Sequence, residues 1–127
     1  MWEHFWECTV NIGKSIKFVR LAAGLKQGQV AELLGITQNY LSLLENNKAE
    51  PSLALLSKIS EAFRVPAAFL LWEDAMPVEG ETPEITEKYE RIRNLVHELQ
   101  RSRIARAMEE HDHERADAPK NAPDQVP

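Results

Sequence analysis

Residues 27–48 read QGQVAELLGITQNYLSLLENNK and contain two short helical patterns joined by a tight turn. The first pattern ends at Gly35, because glycine readily accepts the left-handed backbone that closes a helix. Thr37 follows the turn as a favourable N-cap, so a second helix is predicted from about Gln38 to Asn46. The whole stretch is therefore predicted to be a pair of short helices packed against each other.

The second predicted helix has an apolar side and a polar side. Leu41 and Leu44 lie three residues apart, so both face the first helix. Glutamine and asparagine donate and accept hydrogen bonds together, as the major-groove edge of adenine requires. The polar side therefore favours a helix that contacts the edges of bases. This side consists of Gln38, Asn39, Ser42 and Leu43.

The stretch resembles the helix-turn-helix of the Cro/cI-like, or Xre, family of phage and bacterial repressors. Ala31 corresponds to the small residue at which the two helices approach, and Gly35 corresponds to the turn glycine. The ending ENNK at Glu45–Lys48 is similar to the family's Glu-x-Gly-Lys. The resemblance extends from about Ile12 to Trp72. It implies an all-α fold, in which a five-helix lambda-repressor-like DNA-binding domain at 12–74 is followed by a C-terminal helix.

The resemblance also implies that the recognition helix, Gln38–Asn46, enters the major groove of double-stranded DNA. Gln38 and Asn39 are expected to read base edges, and Leu43 is expected to meet a thymine methyl group. Neighbouring polar side chains and the backbone N–H groups at helix starts are expected to hold phosphates. The DNA-binding residues predicted in this way are Gln27, Thr37, Gln38, Asn39, Tyr40, Ser42, Leu43, Asn46 and Lys48.

The family pairs the residues that match Arg20 and Glu45, which implies a structural ion pair between the first helix and the end of the recognition helix. Two residues depart from favourable helix chemistry. Lys26 stands where a Ser, Thr or Asn cap is expected, and Gly28 falls in the first turn of the first motif helix. Asn47 replaces the usual glycine after the recognition helix, but asparagine also tolerates the left-handed conformation.

Length and composition limit the classes of protein to which the chain belongs. Its 127 residues allow one domain plus an extension, and 43% hydrophobic content is typical of a globular protein. No apolar run approaches the roughly 20 residues of a membrane span. The start is acidic and aromatic, unlike a signal peptide, and Cys8 is the single cysteine. We therefore expect a cytoplasmic protein with no membrane partner.

The formal net charge of −5 is unusual for a protein that binds nucleic acid. Any positive surface must therefore be local. We expect modest affinity for each subunit and hence binding as a dimer. The candidates for a positive surface are Lys14, Lys17, Arg20, Lys26 and Lys48.

The segments outside the motif have distinct patterns. Residues 1–11 form an N-terminal aromatic segment, which we expect to pack against the domain or a partner subunit. Residues 75–83 are acidic, contain Pro and Gly, and predict a linker. Residues 84–110 lack Pro and Gly and predict a C-terminal helix, whereas the polar residues 111–127 predict a disordered tail.

The helix at 84–110 carries an apolar stripe, here called the seam, which consists of Ile85, Tyr89, Ile92, Val96 and Leu99. These residues alternate by steps of four and three, as in a coiled coil, although over only about two heptads. We favour a dimerisation helix. The two alternatives are a helix that folds back on its own domain and a basic helix that contacts flanking DNA.

The sequence has no pattern typical of catalysis. It has no Gly-rich phosphate loop, no zinc-ligand spacing and no nucleophile elbow. His111 and His113 lie close together, but two histidines in a polar tail do not predict a metal site. We therefore expect a protein that is not an enzyme and that binds neither cofactor nor metal.

Together these patterns predict a sequence-specific DNA-binding transcriptional regulator, with repression as the favoured outcome. A homodimer would meet half-sites roughly 34 Å apart on double-stranded DNA. The alternative is an antitoxin or protein-interaction adaptor built on the same fold, which the acidic charge favours and which requires a protein partner.

Overall fold

The computed structural model of the protein describes residues 12–72 and 80–117, and all regular secondary structure in these ranges is α-helical. The helices are α1 (Ile12–Ala22), α2 (Gln27–Leu34), α3 (Gln38–Glu45), α4 (Leu53–Phe63), α5 (Ala67–Trp72) and α6 (Pro83–Asp117). The predicted all-α fold, five short helices followed by a long one, is confirmed. None of these described helices has the length and hydropathy needed to cross a membrane. The expectations for residues 1–11, for most of the linker at 75–83 and for residues 118–127 lie outside the described residues.

Local sequence signals set the ends of α2 and α3. The backbone N–H of Lys26 donates to Gln29 Oε1 at 2.8 Å, so a glutamine side chain satisfies a group at the helix start. Gly35 ends α2 in the left-handed conformation, with a φ of 71°. Thr37 Oγ1 then accepts a hydrogen bond from the Tyr40 N–H at 3.1 Å and begins α3 as predicted.

The core lies where α1 to α5 meet, and α6 closes one side of it. Its members are apolar residues that recur at helical spacing and are almost completely buried. Leu41 and Leu44 are among them, so their burial fixes which side of α3 faces solvent. The largest core side chains are Ile16, Val19, Val30, Leu41, Leu44, Ile59, Phe63, Val65, Leu70 and Ile104.

Helix α1 begins against the end of α3. A Cβ added to Gly13 would lie 2.7 Å from the carbonyl oxygen of Glu45 and closer still to that of Leu44, so a side chain does not fit there. The Gly13 N–H donates to Asn47 Oδ1 at 3.1 Å. Asn47 itself has a φ of 57°, the left-handed conformation expected of it. The contact fixes the end of α3 relative to α1.

The second half of α6 folds back on the domain. Ile104 is 0% exposed and belongs to the same core as α1 to α5. The His97 ring lies 4.5 Å from the Phe18 ring, and His111 Nε2 lies 2.9 Å from the carbonyl oxygen of Ala62. The alternative in which the C-terminal helix packs on its own domain is therefore correct for this half.

The first half of α6 has a different environment. Ile85, Ile92 and Leu99 remain 42%, 48% and 49% exposed, so the described part of the chain does not cover them. Tyr89 is half-buried, and Val96 packs against the core beside the docked half. The dimerisation role of the seam therefore stays a prediction.

The disorder predicted from residue 111 is wrong for the first seven residues of that segment, because α6 continues to Asp117. Residues 111–117 contain neither Pro nor Gly, so nothing in their sequence ends the helix. Two contacts also anchor this part of α6 to the end of α4: the His111 contact with the Ala62 carbonyl and an ion pair between Arg64 and Glu110.

Candidate nucleic-acid interface

Helix α3 presents its polar side to solvent. Gln38 and Asn39 are exposed in its first turn, and Leu43 is exposed one turn later. On the opposite side, Leu41 and Leu44 are 0% and 1% exposed, because α3 packs there against α1 and α2. The burial of the two leucines thus leaves the amide side chains accessible to a partner from outside.

The Gln38 side chain extends over the first turn of α2. Its Oε1 would lie 3.4 Å from a Cβ added to Gly28, an ordinary van der Waals contact, so the carboxamide lies directly beside this residue. Gly28, which weakens α2 because glycine has a low helix propensity, therefore lies next to a side chain that is expected to contact DNA. Sequence reasoning missed this relationship, since its only signal was an unfavourable glycine inside a helical turn.

Arg20 and Glu45 form a two-point ion pair at the base of α3. Arg20 Nε lies 2.8 Å from Glu45 Oε2, and Arg20 Nη2 lies 2.9 Å from Oε1. The two side chains are only 12% and 3% exposed, so water screens the pair weakly. Arg20 Nη1 also donates to the carbonyl oxygen of Leu25 at 3.2 Å. One guanidinium thus connects α1, the turn before α2 and the end of α3.

Gln27 is directed toward the same ion pair. Its Nε2 donates to Glu45 Oε1 at 3.4 Å, and the residue is half-buried. In this arrangement Gln27 supports the Glu45 carboxylate, while its contact with DNA stays a prediction. The sequence did not indicate this second role, because it depends on where the fold places the carboxylate.

Local hydrogen bonds hold the polar groups toward the end of α3. Asn46 Nδ2 donates to the carbonyl oxygen of Ser42 at 2.8 Å, and the Tyr40 hydroxyl donates to that of Glu50 at 3.5 Å. Tyr40 and Ser42 are half-buried. The predicted DNA-binding residues that the structure leaves exposed are Thr37, Gln38, Asn39, Leu43, Asn46 and Lys48.

A groove lies apart from this surface, between α2 and the second half of α6. Its volume is about 630 Å³, and none of its lining residues is a Ser, Thr or Cys nucleophile. Within the described ranges, no three His, Cys, Asp or Glu side chains are grouped as they would be to hold a metal ion. The groove is lined by Leu25, Gln29, Glu32, Leu33, Met108, His111, Asp112 and Arg115.

The arrangement of α2, the Gly35 turn and an exposed α3 agrees with a comparison against known families. Residues 16–70 match the family described as helix-turn-helix, a range that includes α2, α3 and α4 in full. Residues 16–70 are therefore a helix-turn-helix domain of the Cro/cI-like (Xre) type. The Xre resemblance seen in the sequence is therefore confirmed for the part of the chain that builds this surface.

Curated proteins similar to the chain include regulators and an antitoxin. The chain is 34% identical over 73 residues to the HTH-type transcriptional regulator ImmR of Bacillus subtilis. This match covers 58% of the present chain and 58% of ImmR. It is 27% identical over 82 residues to the immunity repressor protein of Bacillus phage phi105, covering 65% of this chain and 56% of the repressor.

The chain is also 35% identical over 94 residues to the antitoxin PezA of Streptococcus pneumoniae, covering 71% of this chain and 60% of the antitoxin. In each of these three cases the chain spans less than two thirds of the relative's length. No solved structure gives a significant match to the chain.

Proposed function

We propose that this protein is a sequence-specific DNA-binding transcriptional repressor that acts as a homodimer. The observation that carries the proposal is the exposed amide side of α3, where Gln38 and Asn39 lie opposite two fully buried leucines. A projecting α-helix fits the major groove of B-DNA, which is roughly 12 Å wide. Similarity to a transcriptional regulator and to a phage repressor supports repression as the outcome.

Base readout and phosphate binding fall to different residues in this proposal. Gln38 and Asn39 bond to base edges, with Ser42 beside them and the Leu43 side chain against a thymine methyl. Phosphates are held by polar side chains around α3 and by the backbone N–H groups at helix starts. The phosphate-binding residues are Gln27, Thr37, Tyr40, Asn46 and Lys48.

The acidic balance of the chain shapes the rest of the proposal. With a net charge of −5, the protein gains less from the phosphate charge than a basic domain does, so binding by one subunit is weak and depends on two subunits acting together. The protein acts in the cytoplasm on duplex DNA, and it has no enzymatic role.

Replacement of Gln38 and Asn39 by alanine tests the readout. A preferred sequence is first selected from a random DNA pool at stated salt, and binding to it is compared with binding to a scrambled duplex. The double variant should lose about tenfold or more of the preference, because each bidentate contact discriminates by about 1–3 kcal/mol. It should keep most of the binding to the scrambled duplex.

The matched control is Asn94→Ala, which removes an exposed amide from α6, a helix that packs on α1 and α4. This variant should bind like the wild type. An undiminished preference in the double variant contradicts the assigned readout, and a wild-type protein that selects no sequence contradicts the proposed function.

Lys48 provides a separate test of phosphate binding. Lys48→Ala should weaken binding to both duplexes alike and reduce the slope of log affinity against log salt by about one. Lys58→Ala, which removes an exposed lysine from α4, is the control and should change neither quantity. A loss confined to the preferred sequence would instead assign Lys48 to base readout.

A second function, as an antitoxin or protein-interaction adaptor, is favoured by one observation. The similarity to the antitoxin PezA covers 71% of this chain, which is more than the domain at 16–70. The groove between α2 and α6 offers a protein partner a surface apart from the exposed side of α3. Purification of the tagged protein from its native host tests this: a stoichiometric protein partner supports it, whereas a homodimer that shifts its own upstream DNA supports repression alone.

A further inference from the structure

Helix α6 carries two stripes on different sides. The seam, centred on Ile92, lies in its first half. At about 100° per residue, the second stripe is rotated from the seam by roughly a quarter turn. The contacts that hold α6 on its own domain therefore leave Ile85, Ile92 and Leu99 of the seam exposed, whereas Val96 packs against the core. This second stripe, here called the docked stripe, consists of His97, Gln100, Ile104, Ala107, Met108 and His111.

The surroundings of the seam are typical of a helix that pairs with another helix. Leu95, next to the seam, is 66% exposed and widens the apolar surface. Two ion pairs near the seam run along α6 itself, with N–O distances of 3.1 Å and 2.7 Å. These pairs, one turn apart in each case, are Glu84–Lys88 and Glu87–Arg91. An apolar stripe flanked by charged side chains fits an apolar occupant.

We propose that the occupant of the seam is a second copy of this chain, with the two α6 helices antiparallel. This inference deepens the proposed repressor and rests on its homodimer. A two-fold dimer brings the same patch of both subunits together, so the patch must complement itself. A stripe that alternates by steps of four and three does so.

Charge argues against the parallel direction. In a parallel pair in register, the positions that flank the seam bring Lys88 against the partner's Arg93. The two-fold symmetry repeats this contact on the other side of the pair. Two cation–cation contacts at an otherwise apolar seam oppose association.

The antiparallel direction removes both of these contacts. When the two-fold axis lies between residues 90 and 91, Lys88 lies beside the partner's Leu95, and Arg93 lies beside the partner's Thr86. The lysine and arginine stems then cover apolar surface while their charges stay in water. Ile85 then opposes the partner's Val96, and Tyr89 opposes the partner's Ile92.

The antiparallel pair also separates the two DNA-binding domains. Each docked stripe is centred near Ile104, about 20 Å from the two-fold axis, so the two stripes lie about 40 Å apart along the helices. Half-sites on an operator lie roughly 34 Å apart, a distance of the same order. In a parallel pair both docked stripes lie at the same level of the helices.

Cysteine cross-linking of the full chain tests the direction. All variants carry Cys8→Ser, because Cys8 is the single native cysteine. Lys88→Cys and Leu95→Cys are prepared separately, mixed, and oxidised under mild conditions. The mixture should give a strong disulfide-linked band at twice the mass of the chain, several times stronger than either variant alone. Leu99→Cys alone should give none, since the two copies of residue 99 lie about 25 Å apart along the antiparallel helices.

The opposite pattern, with Leu99→Cys cross-linking to itself and the mixture remaining uncross-linked, overturns the antiparallel direction. A dimer in sedimentation that cross-links at none of these positions, or a monomer at all concentrations, overturns the seam as the interface. Operator binding by the same Cys8→Ser protein is measured alongside, so a failed dimer is distinguished from a failed DNA-binding function.

Discussion

Helices α3 and α6 differ in the number of surfaces that each presents. Helix α3 has eight residues, one buried side and one exposed side, so two leucines determine its orientation. Helix α6 has 35 residues and two stripes a quarter turn apart, of which one is buried against the domain and the other is mostly exposed. Periodicity shows that a side of a helix is made for burial, but it does not identify the surface that will cover it. In a helix such as α3, which has only one apolar side, the periodicity alone is enough to predict which side is buried.

The largest expected effect concerns the stability of the domain and tests the buried side of α3. Leu41→Ala should lower the free energy of unfolding of the domain by about 4 kcal/mol, because it leaves a cavity at a fully buried position. In a domain this small, such a loss should abolish cooperative unfolding and DNA binding together. Urea denaturation followed by circular dichroism measures it. Leu43→Ala, which truncates an exposed leucine of the same helix, is the control and should leave stability almost unchanged.

The ion pair at the end of α3 gives the next effect. Glu45→Gln keeps the size of the side chain but leaves the buried Arg20 guanidinium without a charged partner, so stability should fall by about 3 kcal/mol. The double variant Arg20→Met with Glu45→Met should recover much of this loss, since an apolar pair replaces the ionic one. If the double variant is as unstable as Glu45→Gln, the pair acts through shape rather than charge.

Local signals were sufficient for α3 because each of them lies within a few residues of the group it acts on. Gly35 and Thr37 set the turn, and the leucine spacing sets the buried side. Features that depend on tertiary contacts were not visible in the same way. Gln27 was predicted to contact DNA, but its bond to Glu45 depends on where the fold brings the end of α3.

The docking of the second half of α6 was an alternative rather than the favoured prediction, for a related reason. Its stripe includes His97, Gln100 and His111, which an apolar pattern does not count. Their partners are the ring of Phe18 for one histidine and a carbonyl at the end of α4 for the other. These surfaces are available only after α1 and α4 have packed, so the sequence of α6 alone favoured the more regular seam.

Two substitutions on α6 distinguish the role of the docked stripe from the role of the seam. Ile104→Ala should destabilise the docked half by about 2 kcal/mol and raise amide exchange across 97–111, because Ile104 is fully buried. Leu95→Ala, its control beside the seam, should leave amide exchange of the monomer unchanged and weaken dimerisation. Equal effects of the two variants on monomer exchange would mean that α6 has a single packing side.

The smallest expected effect concerns the glycine under Gln38. Gly28→Ala should raise the free energy of unfolding by about 0.5–1 kcal/mol, since alanine is the better helix former. Its Cβ would lie 3.4 Å from Gln38 Oε1, an ordinary contact, so sequence preference should not change. Gly28→Leu, by contrast, should displace the Gln38 side chain and reduce preference for the selected sequence while sparing nonspecific binding.

Gly35→Ala is the matched control for this glycine, because Gly35 has a φ of 71° and its replacement is strained at any side-chain size. It should lower stability by about 1 kcal/mol, the opposite sign to Gly28→Ala. If Gly28→Leu binds the selected sequence as well as the wild type, Gln38 does not depend on the first turn of α2 for its position. The amide side of α3 would then be set by α3 alone, and the dependence on tertiary contacts would be confined to α6 and the ion pair.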